Sequence, residues 1–270
     1  MPKNSTTAGG AVRRAKNSRA VGGLARGGYV ASGVLHLMIG WLAVQLALGE
    51  SEGQADQSGA FRAVAQMPGG DVVLWLVAVG FAALAVWQLA TAVVGVPNAE
   101  NQLAARAKSV AKALLYGVLA VTGVRYATGA GGSGGSEESL TAKVLGMPGG
   151  AWLVGAAGLV IVGVGVYHVA KGVRKKFLED LTGTGGGAVR PVVVRLGQAG
   201  YIAKGVALGV VGGLVVAAAV TADPEQAGGL DEALHTVRDQ PYGTVLLIVV
   251  GVGIAAYGGY SFARARFARL

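Results

Sequence analysis

The side chains that could do chemistry inside the apolar stretches of this chain are few and uncharged. They are the polar residues His36, Gln45, Tyr116 and Thr122. An imidazole or a phenol in such a setting can exchange a proton or line a polar path, and polar groups within a membrane often mark functional positions. We take these four as a candidate polar core or path. For His36 we favour the plainer interpretation, a neutral imidazole bonded to a neighbouring helix.

A second set of residues lies where apolar stretches meet basic segments. It comprises Gln88, His168, Lys171, Arg174, Lys175 and Lys176. Aromatic neighbours are typical of a membrane–water interface, and Lys and Arg there attract anionic headgroups. We therefore expect Gln88 and His168 to act as anchors at headgroup level. The four basic residues lie on a helix that continues the fourth apolar stretch; its plainer role is to set the topology, and the alternative is contact with lipid headgroups or a partner protein. Lys112 and Lys204, a turn or two inside their stretches, are expected to extend to the same interface.

No assembly of residues in the sequence predicts catalysis. The chain has no cysteine, which excludes disulfides and thiolate chemistry. Its three histidines, His36, His168 and His235, fall on different sides of the predicted topology and cannot share one metal ion. No GK[ST] phosphate loop and no serine in a nucleophile-elbow pattern occurs. The sequence thus predicts a protein without enzymatic activity, cofactor or metal.

Six apolar stretches must position these residues. Of the 270 residues, 53% are hydrophobic and 14% are charged. A soluble domain carries about 25% charge, and a membrane-spanning helix needs about 20 mostly apolar residues. The stretches that qualify are Gly27–Leu48, Val72–Val94, Ala107–Thr128, Ala151–Ala170, Ala199–Thr221 and Tyr242–Phe262. The predicted fold class is an all-α integral membrane protein with six transmembrane helices.

Charge alternates between the segments that separate these stretches. The N-terminus, the second and fourth connections and the C-terminus hold 19 of the 23 Lys and Arg residues but only three of the 14 acidic residues. Because short cytoplasmic loops retain Lys and Arg, both termini are predicted to be cytoplasmic. Topology thus explains the net charge of +9, so we expect anionic lipid as a partner and not nucleic acid.

The sequence contains three copies of one two-span unit. LARGGYVASGVL at residues 24–35 recurs as LGQAGYIAKGVA at residues 196–207. The second copy diverges there, although Lys112 falls at the position of Lys204. The peptide MPGG at residues 67–70 recurs at residues 147–150 and, as QPYG, at residues 240–243. Two spans per unit leave every copy in the same orientation, which predicts a pseudo-threefold arrangement.

A short amphipathic stretch precedes each of the three prolines in these peptides. Its apolar residues are Phe61 and Val64 in the first unit, Leu140, Val144 and Leu145 in the second, and Leu230, Leu234 and Val237 in the third. This spacing predicts a short helix that the proline ends. We expect the three helices to lie in the outer interface as anchors that set the tilt of the next span. The alternative is a lid or gate over the helical core.

Glycine is the expected helix-packing residue, with 47 copies in the chain. In lipid, helices associate through close backbone contact, so small residues mark their interfaces. Gly205, Gly209 and Gly213 form a GxxxGxxxG ladder on the fifth span. This ladder predicts tight packing against a neighbouring helix.

The tandem units with GYxAxG-like and PGG-like starts resemble the DUF1206 family. The resemblance covers nearly everything from about residue 24 to residue 262. It implies a bacterial plasma-membrane protein with three copies of the domain and six helices, and it implies no catalytic residue, substrate or cofactor. The predicted organisation is a basic, disordered cytoplasmic tail (residues 1–24), repeat 1 (25–94), repeat 2 (104–172), a basic, Gly-rich linker (173–194), repeat 3 (195–262) and a basic tail (263–270).

Two functions fit these features. The first, which we favour, is a non-enzymatic structural or accessory protein that contacts membrane partners or lipids, because the spans are Gly-rich and carry no charge near their middle. The alternative is a channel or carrier for a small solute or ion near the pseudo-threefold axis. A conduit predicts a wet path past His36, Gln45, Tyr116 or Thr122, whereas an accessory protein predicts an axis filled by aliphatic side chains.

Overall fold

Helices make up nearly all of the described part of the chain. A computed structural model describes residues 19–50, 55–95, 101–131, 136–187, 189–223 and 229–268. The long helices are α1 (Arg19–Leu48), α3 (Gly70–Val94), α4 (Gln102–Ala127), α6 (Gly150–Val173), α7 (Val189–Thr221) and α9 (Gly243–Phe267). The short ones are α2 (Gln57–Ala65), α5 (Ser136–Leu145), α8 (Gly229–Arg238) and a 3-10 linker helix (Lys176–Asp180). Of the predicted N-terminal tail, residues 1–18 lie outside the described residues.

The six long helices are long and apolar enough to cross a membrane. Their spans run for 24 to 33 residues, where about 20 are needed. Large apolar side chains such as Trp41, Leu76 and Val160 are more than half exposed, as expected where lipid is the solvent. The chain is therefore a multi-pass membrane protein, and the predicted all-α fold class with six spans is confirmed.

The spans pack in a cyclic pattern set by the repeats. The second span of each unit packs extensively on the first span of the next unit, in the pairs α3–α4, α6–α7 and α9–α1. Within a unit, α1 packs on α3 and α7 on α9. Among the described residues, α4 and α6 lack an interface of this kind, which leaves a seam between them. The predicted pseudo-threefold arrangement is thus present, with one of its six contacts weakened.

Pairs of glycines set the distance between α6 and α7. A Cβ atom at Gly205 would lie 2.6 Å from the carbonyl O of Gly165, and one at Gly212 would lie 2.8 Å from the carbonyl O of Gly158. The predicted ladder is correct at Gly205, and Gly165 also approaches the backbone of Gly209. Space is open around the Cβ positions of Gly209 and Gly213, so the ladder is not correct at either, and Gly212 makes the second close contact instead.

The interface between α9 and α1 repeats this device. A Cβ atom at Gly258 would lie 2.7 Å from the carbonyl O of Gly33, and one at Gly251 would lie 2.9 Å from the carbonyl O of Gly40. In both interfaces the glycines of one helix are seven residues apart, which keeps them on one face along an antiparallel pair. The α3–α4 interface uses Ala78 against Gly123 at a comparable place.

The PGG peptide makes a sharp turn into each second span. Gly69, Gly149 and Tyr242 adopt left-handed backbone conformations, with φ of +73°, +77° and +63°. The glycine that follows lies so close to the preceding short helix that a Cβ atom at Gly70 would overlap the carbonyl O of Val64. The two glycines therefore serve different needs, a left-handed turn and a close backbone approach.

Two of the short helices cap one end of the bundle, which we call the capped end. Phe61 of α2 and Leu234 of α8 are each 1% exposed, and the Phe61 ring stacks on Tyr126 with centroids 5.9 Å apart. The Ala55 N–H donates to Asp231 Oδ1 at 2.7 Å and links the start of α2 to α8. The anchor expectation is therefore wrong for these two helices, because their apolar faces cover the core and not the lipid.

Within α2 the capping residue lies in a buried site. Asp56 Oδ1 accepts from the Gly59 N–H at 2.8 Å, which satisfies one of the free donors at a helix start. Burial, and to a smaller degree the nearby Asp231 carboxylate, raise the pKa of the Asp56 carboxyl group above its ordinary value. The capped end thus closes over two neighbouring acids.

The core beneath this cap is tightly filled. We call the half of the bundle next to the capped end the outer half. Its buried residues come from α1, α3 and α9 and are at most 8% exposed: Ile39, Leu42, Leu46, Leu74, Val77, Phe81 and Leu247. They belong to one contiguous cluster with Phe61 and Leu234 of the cap. The outer half is therefore packed like the interior of a globular domain.

The opposite end, where Arg26, Arg106, Lys175 and Arg264 lie, we call the basic end. The helix α6 stops at Val173, Lys175 turns in a left-handed conformation, and the linker helix folds back on the bundle. The expected basic extension of the fourth span is therefore wrong. Residues 263–267 continue α9 and are not a tail.

Candidate functional site

Polar and aromatic side chains converge in the half of the bundle next to the basic end. We call this set the inner cluster, and it comprises Tyr29, His36, Lys112, Tyr116, His168, Lys171, Asp180, Tyr201, Lys204, Tyr257, Tyr260 and Arg264. It draws on five of the six spans and on the linker helix. Glycine-set helix spacing brings these elements close enough for the side chains to meet.

Lys204 and His36 form one hydrogen-bonded pair within the cluster. The His36 Nδ1 atom lies 2.8 Å from the Ser32 carbonyl O, which can only accept, so the proton is on Nδ1. This leaves the Nε2 lone pair to accept from Lys204 Nζ at 3.0 Å. The ammonium also lies 4.4 Å from the centre of the Tyr257 ring, a cation–π contact. Lys204 thus points into the bundle, and the expectation that it extends to the interface is wrong.

Lys171 and Asp180 form the ion pair of the cluster. Lys171 Nζ lies 2.7 Å from Asp180 Oδ2, and Tyr201 Oη lies 3.5 Å from the same oxygen. Burial favours the protonated acid, but the positive charges of Lys171 and Arg264 outweigh it and hold the pKa of the Asp180 carboxyl group below its ordinary value. Asp180 is therefore an ionised carboxylate among cations.

Arg264 and Lys112 bring further positive charge, and neither forms an ion pair with a carboxylate of the described residues. Arg264 Nη2 donates to Tyr29 Oη at 3.1 Å, and the guanidinium lies 4.3 Å from the Tyr29 ring centre. The buried Arg264 Nε has no hydrogen-bond partner among the described residues. Lys112 lies within electrostatic range of Arg264, Lys171 and Asp180. Asp180 thus pairs with Lys171, and Arg264 and Lys112 lie within electrostatic range of the same carboxylate.

The four cations occupy two positions of the repeat. Lys112 and Lys204 are equivalent, and Ser32 takes that position in repeat 1. Lys171 and Arg264 are also equivalent, each three residues after the pairs Tyr167-His168 and Tyr260-Ser261, and Thr91 takes that position in repeat 1. Repeats 2 and 3 therefore supply the charge, while repeat 1 places hydroxyl groups at the matching sites.

A shallow groove lies at the same end, between α1 and α9. Its volume is about 590 Å³, and its lining residues are Arg26, Gly27, Val30, Phe262, Ala265, Arg266 and Phe267. Both arginines are exposed, and space is open around the Cβ position of Gly27. At the basic end, the guanidinium groups of Arg26 and Arg266 thus border an apolar groove floor.

The domain of unknown function DUF1206 matches the chain three times. The matched segments are residues 27–95, 107–175 and 199–268, which together cover most of the chain. The chain belongs to the DUF1206 family. The match confirms the three tandem repeats predicted from the sequence.

One relative of this DUF1206 protein is a Bacillus subtilis (strain 168) protein named "Uncharacterized protein YxxB". It is 30% identical over 238 residues, which cover 87% of this chain and 86% of the relative. No solved structure matches the chain. The family supports the fold and the membrane setting, so any activity must be argued from the side chains.

The predicted polar residues divide between the two halves of this DUF1206 bundle. His36 and Tyr116 lie in the inner cluster, at equivalent positions of repeats 1 and 2. Gln45 and Thr122 are half-buried toward the capped end of α1 and α4, away from the cluster. The four therefore do not form one continuous polar path.

The predicted headgroup contacts also divide. Gln88 is 8% exposed, and the Lys171 side chain is 12% exposed and bonded to Asp180. Neither side chain lies at the lipid surface, which corrects the expectation for both. The His168 ring packs on Tyr201 with centroids 5.6 Å apart. Arg174, Lys175 and Lys176 are exposed at the basic end as predicted.

Several cluster residues are not among the site residues predicted from the sequence. The predicted C-terminal tail includes Arg264, and Tyr29, Tyr201, Tyr257 and Asp180 carry no predicted role. The signal that finds Arg264 is the register of the repeats, which aligns it with Lys171. No comparable signal finds Asp180, because its place depends on the linker helix folding back. No group of three His, Asp or Glu residues in the described ranges is arranged to hold a metal ion.

Proposed function

We propose that this DUF1206 protein is a non-enzymatic accessory protein of the bacterial plasma membrane that contacts anionic lipid headgroups at its basic end. The observation that carries the proposal is the groove between α1 and α9, where Arg26 and Arg266 border an apolar floor. Guanidinium groups pair bidentately with phosphate, and the floor suits an acyl chain. Each basic residue at an anionic surface contributes about 1 kcal/mol.

The orientation belongs to the proposal. Lys and Arg concentrate at the basic end, which favours its placement in the cytoplasm together with both termini. Anionic lipids of the inner leaflet would then meet the groove and the exposed residues Arg174, Lys175 and Lys176. These charges face a membrane surface, which favours lipid over nucleic acid as the partner. The lipid-facing seam between α4 and α6 is where a membrane-protein partner would fit.

A conduit is the less favoured function. The outer half of the bundle is filled by aliphatic and aromatic side chains such as Ile39, Leu46 and Phe81, each at most 1% exposed. The capping helices α2 and α8 close that end further. A solute would have to displace several turns of packed core, so the packing supports binding at one end and not passage.

Lipid retention in native mass spectrometry tests the proposal. We expect the purified protein to retain phosphatidylglycerol in preference to phosphatidylcholine. The double variant Arg26→Gln/Arg266→Gln should lose about tenfold or more of this preference, since two contributions of about 1 kcal/mol each are removed. Arg125→Gln, a basic residue at the capped end, is the matched control and should leave the preference unchanged.

Two results would count against this function. Equal retention of both lipids by the wild-type protein would show that the basic end has no selectivity for anionic headgroups. Solute flux through proteoliposomes that depends on His36 or Tyr116 would favour the conduit.

A further inference from the structure

We propose that the inner cluster is a binding site for a phosphate-bearing anion, whose place Asp180 holds in this structure. The ligand class is a phosphate monoester or inorganic phosphate, and the group could belong to a lipid headgroup or to a free solute. This site is separate from the α1–α9 groove, so it does not depend on the lipid contacts proposed there.

The charge balance of the cluster is the first argument. Among the described residues, Asp180 is the acid close to Lys112, Lys171 and Arg264, while Lys204 Nζ bonds to His36 Nε2. Buried charges are normally paired, because an unpaired charge loses its hydration without compensation. A surplus of cations inside a membrane protein is therefore a functional arrangement in need of an anion. A phosphate group with two negative charges would restore the balance better than one carboxylate does.

The hydrogen-bond donors are the second argument. The buried Arg264 Nε is unsatisfied within the described residues. The hydroxyl groups of Tyr29 and Tyr201 already contact Arg264 and Asp180. Arginine forks and lysine point charges are the usual partners of phosphate, and tyrosine hydroxyls add donors that suit its oxygens. The cluster thus presents donors from α1, α6, α7 and α9 around one point.

The way in which Asp180 reaches this point is the third argument. It lies on the linker helix, which is fixed by Phe177, whose ring is fully buried and whose carbonyl O accepts from Tyr260 Oη at 2.9 Å. The Thr182 N–H donates to the Phe267 carbonyl O at 2.8 Å on the other side. The carboxylate is therefore delivered into the cluster by a segment outside the spans.

The repeat pattern is the fourth argument. Repeats 2 and 3 converge on the cluster with cations at both of their equivalent positions, whereas the aligned residues of repeat 1 are Ser32 and Thr91. Thr91 Oγ1 donates to the Trp87 carbonyl O within α3, which lies outside the cluster. The positive-inside rule favours Lys and Arg in the cytoplasmic connections. It does not require that such side chains meet inside the bundle. A single ligand near the pseudo-threefold axis would contact equivalent positions from different repeats.

The seam between α4 and α6 offers a route for the ligand. These spans have no extensive interface among the described residues, and Lys108 Nζ donates to Tyr167 Oη at 3.0 Å between them near the basic end. Lys112 and Lys171 stand on the two helices that border the seam. A lipid headgroup could enter sideways here, whereas a free phosphate would enter from the basic end.

Anion binding by the full-length protein in detergent tests this proposal. Titration calorimetry with inorganic phosphate probes the free anion, and native mass spectrometry with phosphatidic acid against phosphatidylcholine probes the headgroup. We expect Asp180→Asn to bind at least one of the two phosphate probes about tenfold more tightly than the wild type, because the internal competitor is removed. Glu179→Gln, an exposed neighbour on the same linker helix, is the matched control and should bind as the wild type does.

The lysines supply the converse test. Lys112→Gln and Lys204→Gln in the Asp180→Asn background should each weaken phosphate binding about tenfold or more. If either variant fails to fold, the comparison of Asp180→Asn with Glu179→Gln still decides. Binding of both probes identifies a free-anion site, and binding of phosphatidic acid alone identifies a headgroup site.

Failure of the proposal has a distinct signature. No phosphate binding by Asp180→Asn, or binding unchanged by the lysine substitutions, would overturn it. The Arg26→Gln/Arg266→Gln variant should keep the phosphate binding of the inner cluster, so loss of the groove contacts and loss of this site can be told apart.

Discussion

Asp180 illustrates how a single residue joins the linker to the spans. Its carboxylate is the one acidic group among the cations of the inner cluster, with Lys171 Nζ at 2.7 Å. The charges of Lys171 and Arg264 overcome the effect of burial and lower the pKa of this carboxyl group. A group whose folded pKa lies below its unfolded value stabilises the fold above the unfolded value, and it loses this contribution as pH falls through the folded pKa.

The first prediction concerns the stability of Asp180→Asn. In the absence of phosphate we expect it to be less stable than the wild type at pH 7 by about 1 to 2 kcal/mol, between the value of an exposed ion pair and that of a buried one. The difference should shrink as the pH falls below about 4, where the carboxylate of the unfolded chain becomes protonated, and vanish below the lower pKa of the folded state. Thermal unfolding in detergent across pH measures this, and a difference that is independent of pH would contradict it.

At the same scale, the sequence predicted some site residues and missed others for a physical reason. His36 and Tyr116 stand out as polar groups in apolar stretches, and both lie in the inner cluster. Lys204 was predicted to extend to the interface, because a lysine near a span end normally reaches water. It turns inward because His36 Nε2 and the Tyr257 ring offer it partners. Such partners come from distant segments and leave no local signal.

Helix contacts depend on glycines whose role differs from one position to the next. In the PGG turn, Gly69 supplies a left-handed conformation, whereas Gly70 allows close approach to the carbonyl O of Val64. On α7, Gly205 and Gly212 meet α6, while Gly213 faces open space. The sequence marks α7 as a packing helix, but a GxxxG pattern does not say which glycines face the neighbour.

The second prediction compares a glycine whose Cβ position is blocked by backbone, Gly70, with one whose Cβ position is open, Gly117. Gly70→Ala should lower the free energy of unfolding by about 1 to 3 kcal/mol, since the new methyl group overlaps backbone that cannot move freely. Gly117→Ala on α4, where space is open, should be neutral or slightly stabilising. Equal melting temperatures for the two variants would mean that the turn geometry is different from the one described.

The third prediction applies to the α6–α7 interface. Gly205→Ala should destabilise the protein by about 1 to 3 kcal/mol, because its Cβ atom would lie 2.6 Å from the carbonyl O of Gly165. Gly213→Ala, two turns away on the same helix, is the matched control with open space at its Cβ position. A larger loss of melting temperature for Gly213→Ala than for Gly205→Ala would show that the helix is rotated.

The whole molecule is a pseudo-threefold bundle that is closed at one end and cation-rich at the other. Internal repeats and apolar length were enough to predict its six spans and their cyclic order. The cap formed by α2 and α8 matches the less favoured alternative of a cover over the core, and the inward fold of the linker helix was not predicted. Short amphipathic segments suit either lipid or a protein core, and only the assembled spans show that a core is available.

The fourth prediction concerns the orientation of this bundle in the membrane. The chain has no cysteine, so in a single-cysteine variant any thiol labelling comes from the introduced residue. Lys175→Cys at the basic end should react with a membrane-impermeant thiol reagent only from the cytoplasmic side, and Met147→Cys only from the outside. Both residues are exposed. Labelling of Lys175→Cys only from the outside and of Met147→Cys only from the cytoplasm would show that the orientation is the reverse of the one proposed.

The most direct test of the account is solvent access along the bundle interior, measured by thiol labelling of Lys112→Cys and Leu42→Cys in membranes. Lys112 borders the seam in the cation-rich half, and Leu42 lies in the packed outer half at 8% exposure. We expect Lys112→Cys to react with a water-soluble reagent from the side of the basic end, and Leu42→Cys to react from neither side. Labelling of Leu42→Cys would reveal a water path through the outer half and would contradict a bundle that binds anions at one end without conducting them.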